Sequence, residues 1–128
     1  MKVLLDTHVF LWAVSDPIRL SSKAQEKIQD ARNEVLLSVI SIWEIAVKAS
    51  RGKLAVPRPA VPWAHRQLVR HRIALLEIEV SHLAALERLP WHHRDPFDRL
   101  LVAQCLEEGA ALLTVDQELH RYEVEILS

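Results

Sequence analysis

Short apolar runs alternate with longer segments of helical pattern along the whole chain, and this alternation restricts the fold more than any other feature. The runs are too short for helices, and they are apolar enough to form strands that are buried on both faces. We expect four such strands and a fifth at the sheet edge, at residues 2–5, 35–38, 73–78, 111–115 and 124–127. The sequence therefore predicts an α/β fold with a parallel β-sheet of four to five strands, flanked by helices on both faces.

Capping and turn residues divide the intervening segments into six expected helices. Thr7 is expected to cap the first helix, Ser22 the second and Ser41 the third, because a hydroxyl side chain accepts well from the free N–H groups of a first turn. Asp95 is expected to cap the last helix, with Pro96 in its first turn. The expected helices cover residues 8–15, 22–33, 41–51, 62–71, 81–89 and 96–109.

The length of 128 residues suits one domain with a closed core and is too short for two. Half of the residues are apolar and only two are glycine, which is typical of a packed protein. Asp6 and His8 interrupt the first apolar run, which argues against a signal peptide, and no segment has the roughly 20 apolar residues of a membrane span. We expect a single domain, residues 1–128, in the cytoplasm.

The formal net charge is −1, so the chain has no overall positive field to attract a polyanion. Nucleic acid would have to be bound by local groups, although the basic clusters also fit ordinary surface charge. The possible RNA contacts are Lys48, Arg51, Lys53, His93, Arg94 and Arg99. The four tryptophans are expected to be core or interface anchors rather than base-stacking platforms.

Four acidic residues follow strands or open helices in a way that brings them to one edge of the predicted sheet. Asp6 ends the first strand and Asp116 follows the fourth, while Glu44 and Asp98 lie in the first turns of helices that leave the same edge. Ligands of open parallel sheets bind at the carboxyl ends of the strands. We therefore expect these four acids to line one crevice.

Carboxylates that approach one another in a crevice need compensating charge, because they repel and lose hydration. A hard divalent ion such as Mg²⁺ or Mn²⁺ prefers oxygen ligands and often binds substrate phosphate as well. Such an ion activates water for phosphodiester cleavage. The acids thus predict a metal-dependent nuclease.

Each acid also fits a purely structural role. Asp6 or Asp116 can cap a helix or turn, and Ser41-x-x-Glu44 fits a capping box. Asp95 and Asp98 are alternatives for the metal. We assign Asp95 to capping, because the residue before proline is held extended, and Asp98 to the metal.

The pattern as a whole resembles the PIN-domain family, and more narrowly the VapC-type toxins. The resemblance covers essentially the whole chain, in the order Leu4-Leu5-Asp6-Thr7-His8, Ser38-x-x-Ser41-x-Trp43-Glu44-Ile45-Ala46-x-Lys48, Gly52-Lys53-Leu54, Asp95-Pro96-Phe97-Asp98-Arg99-Leu100-Leu101-x-Ala103-Gln104 and Leu112-Leu113-Thr114-x-Asp116.

This resemblance implies a Mg²⁺- or Mn²⁺-dependent endoribonuclease that is the toxin of a toxin–antitoxin pair, often a homodimer, and is restrained by a cognate antitoxin. The family's acidic positions match Asp6, Glu44, Asp98 and Asp116, and its polar helpers match Thr7 and Thr114. An antitoxin helix is expected on the apolar surface near Trp12, Trp43 and residues 57–62.

Two other functions fit parts of the pattern. A phosphotransfer domain would use Asp6 as a nucleophile, but it would need a second aspartate two residues later, where this chain has His8. A noncatalytic module would use the acids only to bind a basic partner. It would leave RNA intact and would not be stabilised by metal.

Overall fold

The computed structural model describes all of residues 1–128. Strands and helices alternate along the chain. Two short 3₁₀ turns, Pro17–Arg19 and Gln117–Arg121, interrupt the alternation. The elements are β1 (Lys2–Leu5), α1 (Thr7–Ser15), α2 (Ser22–Gln29), β2 (Glu34–Ser38), α3 (Val39–Ser50), α4 (Ala60–Arg70), β3 (Ala74–Leu76), α5 (Val80–Arg88), α6 (Pro96–Glu108), β4 (Ala111–Leu113) and β5 (Ile126–Leu127).

The five strands form one parallel sheet in the order β3-β2-β1-β4-β5. Successive side chains of a strand point to opposite faces, so β1 contributes to two cores. Val3 and Leu5 pack with Phe10 of α1 on one face, whereas Leu4 packs with Leu101 of α6 on the other. Helices therefore cover both faces, and the predicted fold class, including the fifth edge strand, is confirmed.

Several helices begin earlier than the sequence predicts. Thr7 does not cap α1, because Asp6 does so by accepting from the backbone N–H of Val9 at 2.8 Å. Ser38, rather than Ser41, caps α3 through a 3.0 Å bond from the N–H of Ile40. In both cases the first suitable side chain at the end of the strand caps the helix.

Other element boundaries also differ from the predicted ones. Ser21 caps α2, which ends at Gln29 instead of residue 33. Helix α4 begins at Ala60, two residues before the predicted start, and the expected strand at 73–78 keeps only its three central residues as β3. Asp95 and Pro96 open α6 as predicted.

A buried histidine connects α5 to the end of α6. His82 is fully buried, and its Nδ1 accepts from the N–H of Glu79 at 3.0 Å. The proton is therefore on Nε2, which donates to Oε2 of Glu108 at 2.9 Å. This hydrogen bond lowers the pKa of the Glu108 carboxyl. The pair fixes α5 against α6, whose first turn carries Asp98.

None of the helices combines the length and the apolar character that crossing a membrane requires. Cys105 is buried in α6 and forms no disulfide. Burial raises the pKa of its thiol, so the side chain acts as a small apolar core residue.

Candidate metal centre

The four predicted acids line one cleft at the carboxyl edge of the sheet. Asp6 follows β1 and Asp116 follows β4, while Asp98 lies in the first turn of α6. Glu44 lies in the second turn of α3, because that helix starts at Val39. The cleft has a volume of about 160 Å³, and its lining residues are Asp6, Thr7, His8, Glu44, Lys48, Asp95, Asp98, Val115 and Asp116.

Asp6 is held at the floor of the cleft by two hydrogen bonds. It is only 6% exposed, and one carboxylate oxygen accepts from the N–H of Val9. The other accepts from the hydroxyl of Thr114, which is itself fully buried. Burial raises the pKa of the Asp6 carboxyl, and the bond from Thr114 opposes that increase. Thr114 thus orients the first acid.

Both oxygens of Glu44 are also engaged. The Thr7 hydroxyl donates to Oε1 at 2.6 Å and accepts from the Ser41 hydroxyl at 2.9 Å. Lys48, one helical turn further along α3, donates from Nζ to Oε2 at 2.5 Å. Glu44 therefore forms no capping box. Lys48, predicted to contact RNA, lines the cleft and neutralises one of its acids.

Asp98 and Asp116 meet through His93. The Nε2 atom of His93 is 3.1 Å from Oδ2 of Asp98 and 3.2 Å from Oδ2 of Asp116. Its Nδ1 accepts from the N–H of Arg94 at 2.9 Å, so Nε2 carries the proton and donates to the carboxylates. Potential ligand atoms of His93, Asp98 and Asp116 all lie within 4.8 Å of one another. The sequence predicts His93 only as a possible RNA contact, because nothing in its spacing reveals this position.

The charge balance of the cleft suits a divalent cation. Burial, reinforced by the nearby Asp95 carboxylate, raises the pKa of Asp98 to about 7, and His93 compensates only in part. A carboxyl that resists ionisation in this way gains from a positive ion beside it. The carboxylate oxygens of the cleft are hard donors, the kind that Mg²⁺ or Mn²⁺ prefers.

Asp95 has the structural role that the sequence predicts. Its Oδ1 accepts from the N–H groups of Phe97 at 2.8 Å and Asp98 at 3.2 Å. These bonds cap α6 and fix the backbone that carries Asp98. Asp95 also borders the cleft, so its charge adds to the repulsion there.

The basic residues predicted to contact RNA fall into different environments. The prediction for Arg99 is wrong: the side chain is only 4% exposed, and Nη1 donates to the carbonyl of Pro90 and the hydroxyl of Tyr122. Arg99 therefore holds residues 90–94 in place. Arg94 is exposed beside the cleft, whereas Arg51 and Lys53 are exposed after α3 and do not line it.

The raised pKa of Asp98 makes the metal-free protein sensitive to pH. Below about pH 4 the Asp98 carboxyl is protonated in both the folded and the unfolded chain. Between about pH 4 and 7 only the unfolded chain ionises there, so the free energy of unfolding falls as the pH rises. With EDTA, we expect Asp98→Asn to be more stable than the original protein by roughly 2 kcal/mol at pH 8 and nearly equal at pH 4. Urea unfolding at both pH values measures this, and a pH-independent difference would contradict it.

Comparison with known proteins identifies the family to which this chain is similar. The PIN domain family model matches residues 3–125. Ribonuclease VapC22 of Mycobacterium tuberculosis is 36% identical over 123 residues, which cover 94% of this chain and 92% of that protein. Ribonuclease VapC16 of the same organism is 37% identical over 57 residues, 44% of this chain and 40% of that protein.

Solved structures with the same fold have much lower sequence identity. VapBC2 from Rickettsia felis, bound to a DNA fragment from its promoter, has a TM-score of 0.73 at 14% identity and covers 99% of this chain and 98% of its own. VapBC-1 from nontypeable Haemophilus influenzae has a TM-score of 0.71 at 15% identity, covering 100% of this chain and 98% of its own. With the family match over nearly the whole length, the resemblance seen in the sequence is confirmed, and the chain belongs to the PIN domain family.

Proposed function

We propose that the protein is a metal-dependent endoribonuclease that hydrolyses RNA phosphodiester bonds and acts as the toxin of a toxin–antitoxin pair. The observation that carries this proposal is the meeting of Asp98 and Asp116 with Asp6 and Glu44 in one cleft of a PIN domain. The names of its relatives support the activity, since both are called ribonucleases.

The proposed ion is Mg²⁺ or Mn²⁺, held by Asp6, Asp98 and Asp116, with Glu44 completing the acidic set. When bound, such an ion activates water and stabilises negative charge that develops on the phosphate. The protein's own contribution is orientation. Thr114 holds Asp6 in position, while Thr7 and Lys48 hold the two oxygens of Glu44.

His93 balances charge in the same cleft. Its Nε2 proton lies between Asp98 and Asp116, which reduces their mutual repulsion when no ion is bound. The side chain is fixed by the N–H of Arg94 on its other ring nitrogen.

The proposed partners are single-stranded RNA, a cognate antitoxin and a second copy of the chain, in the cytoplasm. Structural neighbours that are VapBC complexes support an antitoxin partner. The expected antitoxin surface contains Trp43, which is 56% exposed, and a shallow apolar pocket of about 260 Å³ between α3 and Pro59. A helix with an apolar face fits such a surface.

The alternative of phosphotransfer through Asp6 has little support. The second aspartate that such a domain needs two residues after Asp6 is absent, because His8 stands at that position. The noncatalytic binding module differs from the proposal in its response to metal and RNA, so one experiment separates them.

The test is cleavage of a mixed RNA pool by the purified protein with Mn²⁺, with EDTA, and with Asp6→Asn in parallel. We expect cutting with Mn²⁺ only, and its loss in Asp6→Asn, because Asn cannot supply the negative charge that binds the ion. Asp30→Asn is the matched control, since Asp30 pairs with Arg32 outside the cleft. RNA that stays intact in every lane, together with an unchanged Tm on adding Mn²⁺, would favour the binding module.

A further inference from the structure

One large aromatic ring beside the metal centre is almost entirely open to solvent. Trp91 is 79% exposed and is therefore not a core residue, whereas Trp63 is one at 8% exposure. Single exposed apolar side chains are common on protein surfaces, so the surroundings of the ring decide whether it has a function.

The inner face of this ring is backed by a buried cation. The guanidinium carbon of Arg99 lies 3.7 Å from the centroid of the Trp91 ring. Arg99 is itself fixed by hydrogen bonds to the carbonyl of Pro90 and the hydroxyl of Tyr122. The cation–π contact holds the ring in one orientation before any ligand arrives. A flat ligand that stacks on the outer face therefore costs little additional side-chain entropy.

The ring also borders a polar depression, which the side chain of His93 connects to the acids of the cleft. The depression has a volume of about 560 Å³ and is lined by Trp91, His92, His93, Arg94 and Glu118. His93 lines the depression, and its Nε2 contacts Asp98 and Asp116, which line the cleft. A ligand in the depression is thus one side chain away from the proposed metal ligands.

The chemistry of the lining distinguishes between possible occupants. Trp91 is its one apolar member, so an apolar helix or an apolar face of a second copy would bury charged groups without partners. A nucleotide combines a flat base, which suits the indole, with a phosphate, which suits the exposed Arg94 guanidinium. Bases that stack on aromatic side chains come from single-stranded RNA.

We propose that Trp91 is a base-stacking platform for a nucleotide next to the phosphate that is cut, with Arg94 binding the backbone of that nucleotide. This inference rests on the proposed ribonuclease function and assigns part of its substrate site. Trp91 binds and positions RNA, and it takes no part in the chemical step.

The test measures RNA affinity in an Asp98→Asn background, in which the substrate stays intact. The probe is fluorescently labelled, single-stranded RNA of random sequence, followed by anisotropy. We expect Trp91→Ala to weaken binding by about 5- to 100-fold, the usual range for loss of one base–aromatic stack. Trp91→Phe should restore most of the affinity, whereas Trp91→Leu, which is apolar without a π-face, should not. Val80→Ala, an exposed apolar residue at the start of α5, is the control and should bind as the background does.

Two further readouts separate substrate binding from a structural role. In the otherwise unchanged enzyme, Trp91→Ala should raise KM for RNA with a smaller change in kcat, because stacking stabilises bound substrate and transition state alike. The increase in Tm on adding Mn²⁺ should be the same for Trp91→Ala and the original protein, since Trp91 lies outside the acid cleft.

The possible failures are distinguishable. If the background protein binds RNA and Trp91→Ala binds it equally well, the platform is wrong and the proposed function stands. If Trp91→Ala keeps its RNA affinity but changes the sedimenting mass, the ring is a contact between copies, which also overturns the inference. If neither protein binds RNA and the original enzyme does not cut it, the proposed function and the inference both fail.

Discussion

Asp98→Asn is expected to lower the rate of RNA cleavage by about 10³-fold, which corresponds to about 4 kcal/mol in the activation barrier. Asp98 combines an inward position in the first turn of α6 with a carboxyl whose pKa is raised to about 7 by burial and by neighbouring acids. A cation in the cleft would compensate this charge, and asparagine removes the charge that attracts it. The variant should fold normally, because the substitution relieves repulsion.

Asp95→Asn is the matched control for that experiment. Asp95 borders the same cleft, but its Oδ1 caps α6. An asparagine oxygen can accept the same two bonds, so the loss of activity should be about tenfold or less. Cleavage assays on both variants, with Tm measured with and without Mn²⁺, decide between the two acids. Loss of activity in Asp95→Asn with retention in Asp98→Asn would exchange the two roles.

Phe10→Ala is expected to lower the free energy of unfolding by about 4 kcal/mol, a large part of the roughly 5–15 kcal/mol that stabilises a domain. The Phe10 side chain is fully buried in α1 and packs against Val3 and Leu5 of β1. Alanine leaves a cavity that the sheet and helix cannot close, because both are held by their own hydrogen bonds. Urea unfolding in EDTA measures the loss.

Two variants show whether that loss comes from the cavity. Phe10→Leu refills most of the volume and should cost about 1 kcal/mol. Ile18→Ala changes an apolar side chain that is 87% exposed and should shift stability by about 0.5 kcal/mol or less. A loss in Phe10→Ala no larger than that in Ile18→Ala would mean that α1 is not packed as the structure has it.

The capping residues illustrate how far sequence patterns extend. Ser38 and Ser41 are equally suitable hydroxyl caps for α3, and only the folded structure distinguishes them. Ser38 bonds to the N–H of Ile40, whereas the Ser41 hydroxyl donates across to Thr7. That second contact joins two residues that are 34 positions apart in the chain, so no local sequence pattern predicts it.

The functional side chains also make both local contacts and contacts with distant parts of the chain. Lys48 looks like a free cation in the sequence, but the fold places it against Glu44 on its own helix. Arg99 follows Asp98 in a motif typical of an exposed helix start, yet it is buried because Tyr122, far along the chain, brings a hydroxyl to it. The Lys48–Glu44 contact is local, because the two residues lie one turn apart in α3. The Arg99–Tyr122 contact joins distant segments, which residue type alone does not predict.

The sequence by itself determined the parallel sheet and its acidic edge, because strand and helix periodicities are local and the carboxyl ends of parallel strands share one edge. Only the tertiary structure decided the arrangement of residues 90–94, which have no periodicity. Their conformation depends on two hydrogen bonds: Arg99 donates to the carbonyl of Pro90, and the N–H of His93 donates to the hydroxyl of Tyr122. Those distant contacts place His93 between two acids and leave the Trp91 ring open to solvent.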